Sequence, residues 1–121
     1  MRRADRDRGA ATVFVLAIGL TLVAAGLAGA SVGTARVGRH QARSAADLGA
    51  LAGAPEAIFG RPAVCDRAGH FVSANGGEMT LCVVEGLEVT VRAEVEVHPV
   101  PGMTRHATAE SRAGPIYVPV E

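Results

Sequence analysis

Lysine is absent from this 121-residue chain, in which all twelve basic residues are arginine. That exclusive usage reads as a composition bias, but it also removes the lysine that a Gly-rich phosphate loop requires. Cysteine is nearly absent: Cys65 and Cys82 are the only two, and with no Cys-x-x-Cys there is neither a dithiol redox motif nor paired zinc ligands. No serine sits in a nucleophile elbow. His40, His70, His98 and His106 lie far apart with no pair at a metal-binding spacing, so they read as surface or strand-edge residues. Glu88, Glu94 and Glu96 fall on the wet side of a predicted strand, where carboxylates serve solubility. Formal net charge is zero, and from Arg36 onward 8 Arg face 10 acidic residues, so the chain has no basic footprint for nucleic acid. These absences predict no catalytic residues, no cofactor, no metal and no small-molecule substrate.

Charge is also missing from one long stretch. Residues 9–35, 27 in all, carry no charged side chain and are bounded by Arg8 and Arg36. As a helix, at ~1.5 Å per residue, they would span roughly 40 Å, enough to cross a hydrocarbon core of about 30 Å with some tilt. The centre, residues 13–25, is apolar on every side, whereas a helix on a soluble core keeps one polar face. Gly19, Gly26 and Gly33 recur every seventh position, and Gly29-Ala30-Ser31-Val32-Gly33 is a small-xxx-small unit. A stripe of nearly bare backbone lets helices approach closely in lipid, which makes Gly19, Gly26, Gly29 and Gly33 candidate packing residues. The competing reading is that glycine is common in membrane helices and in a chain with 15 of them.

The tail 1–8 carries four Arg, against Arg36, Arg39 and Arg43 just past the span, so the charge bias for a cytoplasmic N-terminus is small. The cysteines add to it. Both follow the apolar stretch, and a lone pair in a small domain is expected as a disulfide where that domain faces an oxidising compartment; two buried free thiols are the alternative. The expected layout is a cytoplasmic tail 1–8, a plasma-membrane span 9–35, a helical extension 36–54 and an extracytoplasmic domain 55–121. A secretory signal cleaved after Ala30, in Ala28-Gly29-Ala30 before Ser31, is the alternative and would release a small binding module. The stretch is long for a signal's apolar region, which favours an uncleaved anchor, and Arg2-Arg3 lacks the rest of a twin-arginine pattern.

Beyond the span, residues 36–54 stay helical but become amphipathic. Arg36, Arg39, Arg43 and Asp47 form a charged face, and Val37, Ala45, Leu48, Leu51 and Ala52 an apolar one. Pro55 ends this helix. A second helix is predicted over 62–74, with Val64, Ala68, Phe71 and Val72 on one face, stopped by Asn75-Gly76-Gly77. Residues 87–98 alternate strictly and form a half-buried strand. Residues 79–84 precede it in a hairpin with two candidate registers: a two-residue turn at Glu85-Gly86 puts Cys82 and Val84 on the face of Val89, and a three-residue loop puts Met79, Leu81 and Val83 there. Residues 104–113 could return as a third strand, and 114–121 read as irregular. The class is α+β: a long membrane helix with an amphipathic extension, then a short helix and a small antiparallel sheet of two to three strands. Joining Cys65 to Cys82 would contribute about 3 kcal/mol in the chain-entropy model.

Two segments carry a resemblance. Arg8-Gly9-Ala10-Ala11-Thr12-Val13 resembles the Arg-Gly-small-small start of the TadE and TadG group of pilin-like proteins from tight-adherence (Flp) pilus and secretion systems. Gln41-Ala42-Arg43-Ser44-Ala45-Ala46-Asp47-Leu48-Gly49-Ala50-Leu51-Ala52-Gly53-Ala54 resembles the Ala-rich segment that follows the span in TadG-like proteins. Together they cover about the first 54 residues. The remainder resembles short actinobacterial TadE-like proteins, which carry a Cys pair, an Asn-Gly turn and a Val-rich hairpin. The resemblance implies a pilin-like, pseudopilin-type membrane protein that assembles by helix packing with other pilin-like or secretion-apparatus proteins, or with itself. Many TadE-type helices place a Glu beside an early Phe, whereas Val13-Phe14-Val15 offers no acid. The implied role is therefore an accessory or minor component, and not a major pilus subunit. An envelope enzyme is the remaining alternative.

Overall fold

The computed structural model describes residues 2–116, with side chains from Asp7 onward. Helix α1 (Arg2–Gly53) is followed by a 3-10 helix (Ala54–Phe59), α2 (Arg61–Ala74) and strands β1 (Glu78–Glu85), β2 (Glu88–Val97) and β3 (Arg105–Ala113). The strands form one antiparallel sheet in the order β1-β2-β3. The class is α+β, as the sequence predicts. α1 runs unbroken from the basic tail through the apolar stretch into the extension, so the tail, given no conformation from sequence, is helical from Arg2. Of the C-terminal stretch expected to be irregular, residues 117–121 lie outside the described residues.

Punctuation follows the sequence closely. α1 stops at Gly53 before Pro55, and Pro62 occupies the first turn of α2, where the N–H it lacks would have had no helical partner. α2 ends in a Schellman motif: Gly77 N–H donates to the Val72 carbonyl at 3.0 Å, Gly76 N–H donates to Ser73 at 3.1 Å, and Gly76 takes φ +78°. The hairpin turns at Gly86-Leu87, one residue later than the two-residue turn expected at Glu85-Gly86. Gly86 has φ +62° and Leu87 a negative φ, the sign pattern of a II′ turn with glycine first. Cys82 pairs with Val91 and Val84 with Val89, so both face the core, as in the first register. An irregularity between Met79 and Leu81 then shifts the strand by one and pairs Met79 with Ala93, which brings Met79 to the core face as the second register had it.

The core is made of small residues. Ala42, Ala45, Ala46 and Ala50 of α1, Val64, Ala68 and Val72 of α2, and Val89, Val91 and Ala93 of β2 are fully buried, and the largest of them is valine. Phe71, expected on the buried face of α2, is only half-buried and packs under the Arg67 guanidinium, 5.0 Å from its ring centroid.

The apolar face expected for the extension is corrected. Of the five residues expected there, Ala45 is buried and Ala52 half-buried, but Val37, Leu48 and Leu51 are exposed, and the rest of the buried side is Gly38, Ala42, Ala46, Gly49, Ala50 and Gly53. Backbone proximity explains the inversion. A Cβ at Gly49 would lie 2.6 Å from Val72 Cγ2 and 3.2 Å from the Ala68 carbonyl, and one at Gly53 would lie 3.1 Å from Val64. A Cβ at Gly38 would overlap Val97. Only residues without a side chain, or with a single methyl, fit where α1 crosses α2 and β2, so larger apolar residues are turned outward.

Candidate assembly surface

Apart from Ser31 near its end, which reaches the Pro99 carbonyl, the apolar stretch of α1 is left uncovered by the rest of the described chain. Its most hydrophobic window has a mean hydropathy of 2.3 and is 0% buried, making this the one helix among the described residues long and apolar enough to cross a membrane. Val13, Phe14, Val15, Leu16 and Leu20 are each about two-thirds exposed or more. Soluble monomers do not leave a continuous apolar surface of this kind in water. The polar groups inside the stretch are already satisfied. Thr12, Thr21, Ser31 and Thr34 donate their hydroxyls to the carbonyls four residues earlier, at 3.0, 2.8, 2.9 and 2.9 Å. Helical backbone together with back-bonded hydroxyls meets the requirement that no hydrogen-bonding group be left open in hydrocarbon.

The structure places the four glycines of the predicted packing stripe in open surroundings: a Cβ at Gly19, Gly26, Gly29 or Gly33 would meet nothing within 4 Å. At 3.6 residues per turn, seven residues return almost to the same direction, so Gly19, Gly26 and Gly33 share one side, with Gly29 beside it. The same projection brings Val37, Ser44, Leu48 and Leu51 onto that side. The stripe buried under the domain, from Gly38 to Gly53, falls roughly opposite. The domain therefore covers one side of α1 and leaves the other bare from the apolar stretch to the end of the extension. Sequence reading found the upper glycines of this surface and missed its lower half. Val37, Leu48 and Leu51 mark that half, although hydrophobicity alone points them inward.

Cys65 on α2 and Cys82 on β1 form a disulfide, with Cα atoms 5.9 Å apart. It ties the short helix to the edge strand. The wet face of the sheet carries two Arg–Glu ion pairs and a His–Glu contact: Arg92 Nη2 lies 2.9 Å from Glu110, Arg112 Nη1 is 3.6 Å from Glu88, and His106 Nδ1 is 2.8 Å from Glu94 Oε1. These contacts join neighbouring strands and occupy the carboxylates that sequence reading gave to solubility. His98 Nε2 is 3.2 Å from Glu96, while His40 and His70 sit on separate helices. Among the described residues no three His, Cys, Asp or Glu side chains are grouped to hold a metal ion.

Comparison with known proteins bears on the same helix. Neither a curated protein nor a solved structure matches the chain. Residues 9–56, the apolar stretch, its extension and the start of the 3-10 helix, match the family described as "Tad: Putative Flp pilus-assembly TadE/G-like". Both segments that carry the sequence resemblance fall essentially within that match, which stops short of α2 and the sheet. What the comparisons show for this chain is therefore a likeness to the TadE/G-like Flp pilus-assembly family over residues 9–56.

Proposed function

We propose that this chain is a single-pass accessory or minor pilin-like component of a Flp pilus or secretion apparatus. It is held in the plasma membrane by α1, with the tail in the cytoplasm and the disulfide-bonded domain outside. It performs no chemistry of its own and acts by packing the bare side of α1 against the helices of other pilin-like proteins or of a second copy. The observation that carries this reading is the division of α1 into two opposite sides, one filled by the domain and one left open through both the glycine stripe and the exposed Val37, Leu48 and Leu51. A helix serving only as an anchor needs no such continuity. The absence of an acid beside Phe14 favours the accessory role over that of a major subunit, because no carboxylate is available to set register in a filament.

Gly26→Leu with Gly29→Leu puts two large side chains onto the open side without touching the domain. In a membrane two-hybrid assay on the full chain this double variant abolishes self-association or capture of a pilin-like partner. Unchanged association would contradict packing through this side. Release as a secreted module requires a cut after Ala30, within the uninterrupted α1.

A further inference from the structure

The β2–β3 loop does not point away from the apolar stretch of α1 but comes down beside it. Ser31 Oγ, inside the charge-free stretch, lies 3.2 Å from the Pro99 carbonyl. Ser31 precedes Arg36 by five residues, about 7.5 Å along the helix, so the loop reaches past the first charges of the extension toward the apolar side. Residues 99–104, Pro-Val-Pro-Gly-Met-Thr, carry no charge, and Met103 is exposed. Polar groups reappear on both flanks, with the exposed His98 on one side and the exposed Arg105 on the other.

α1 and β3 also form an open cleft of about 510 Å³ lined by Arg36, Arg39, His40, Arg43, Thr108 and Ala109. Arg43 has a carboxylate neighbour, Asp47, at 3.4 Å. Among the described residues Arg36 and Arg39 make no ion pair. They also rim a second groove, about 240 Å³, whose remaining walls are Val32 and Ala35. Cationic donors therefore stand above an apolar floor that continues along the span. Guanidinium forks match phosphate oxygens, and the floor matches the first carbons of an acyl chain. A free phosphate would use only the upper half of this arrangement.

We propose that the outer domain is seated on the lipid surface, with residues 99–104 in the interface and the phosphate of an anionic phospholipid held by Arg36 and Arg39. The proposal rests on α1 spanning the bilayer. Its effect is to fix the tilt and height of α1 and its packed domain in the bilayer, so that the open side is presented to partners in a constant attitude.

The full chain, reconstituted in vesicles with and without phosphatidylglycerol, tests this through two reporter variants and one binding variant. A tryptophan in Met103→Trp is quenched by lipids brominated near the glycerol end of the acyl chain, and one in Leu22→Trp by lipids brominated deep in the chain. Arg36→Gln with Arg39→Gln lowers enrichment of phosphatidylglycerol over phosphatidylcholine around the protein about tenfold. Quenching of Leu22→Trp without quenching of Met103→Trp overturns the seating while leaving the span in place. Quenching of neither overturns the span itself. Unchanged enrichment in the double arginine variant, or displacement of the lipid by excess inorganic phosphate, overturns the headgroup assignment.

Discussion

Gly49→Val is expected to destabilise the C-terminal domain by about 3 kcal/mol, since inserting methyls into a filled core costs roughly 1–3 kcal/mol and more where backbone blocks relief. The site offers little relief. The first added carbon would already lie 2.6 Å from Val72 Cγ2, and 3.2 Å from the Ala68 carbonyl, which belongs to the α2 backbone and cannot rotate away. Val72 is itself fully buried, so its displacement is passed on to the rest of the core. Amide hydrogen exchange at β2 should quicken about 100-fold, because each 1.4 kcal/mol is a factor of ten in the opening equilibrium of a protected strand. The matched control is Gly26→Val, at a position where a Cβ meets nothing within 4 Å, and β2 exchange there should not change. Equal effects, or none in Gly49→Val, would mean that α1 does not pack on the domain as described.

Reducing the Cys65–Cys82 disulfide should have an effect of similar size. The bridge closes a loop with a sequence separation of 17, for which the chain-entropy model gives about 3 kcal/mol. The domain has little to set against that loss. Its largest fully buried side chains are Val64, Val72, Val89 and Val91, each worth about 1.5–3 kcal/mol on burial, and much of the remaining core is alanine. Domains of this size are marginal without a staple. Thermal unfolding of Cys65→Ser with Cys82→Ser in detergent should therefore occur ~12–24 °C below that of the bridged protein, taking about 4–8 °C per kcal/mol for a domain of this length. A midpoint within a few degrees of the bridged protein would contradict the staple's importance.

What could be read from residues alone depended on whether hydrophobicity or closeness decided the packing. β2 was legible because Val89, Val91, Ala93 and Val95 alternate with charged or polar residues, and side chains on a strand leave no other solution. The end of α2 was legible because Asn75-Gly76-Gly77 names its own turn. α1 beyond Arg36 was not. Ranking by hydrophobicity turns Val37, Leu48 and Leu51 inward, whereas the crossing distance admits only glycine and alanine there. The number of small residues in the extension showed that something comes close, but not from which side. The β1 register was hidden for a related reason: residues 79–84 are apolar on both faces, so alternation gives no preference and the shift between Met79 and Leu81 has no sequence signal. The glycines of the apolar stretch were visible from their spacing. That they lie opposite the domain became visible only once the buried stripe had been located.

The account depends on α1 remaining in lipid as one piece that carries the disulfide-bonded domain. Intact mass spectrometry of protein from alkali-washed membranes, alkylated without prior reduction, tests this most directly. The account predicts an unlabelled species that retains the apolar stretch together with the domain, recovered with the membranes. A soluble species beginning at Ser31, a soluble uncleaved chain, or alkylation of both cysteines would contradict it.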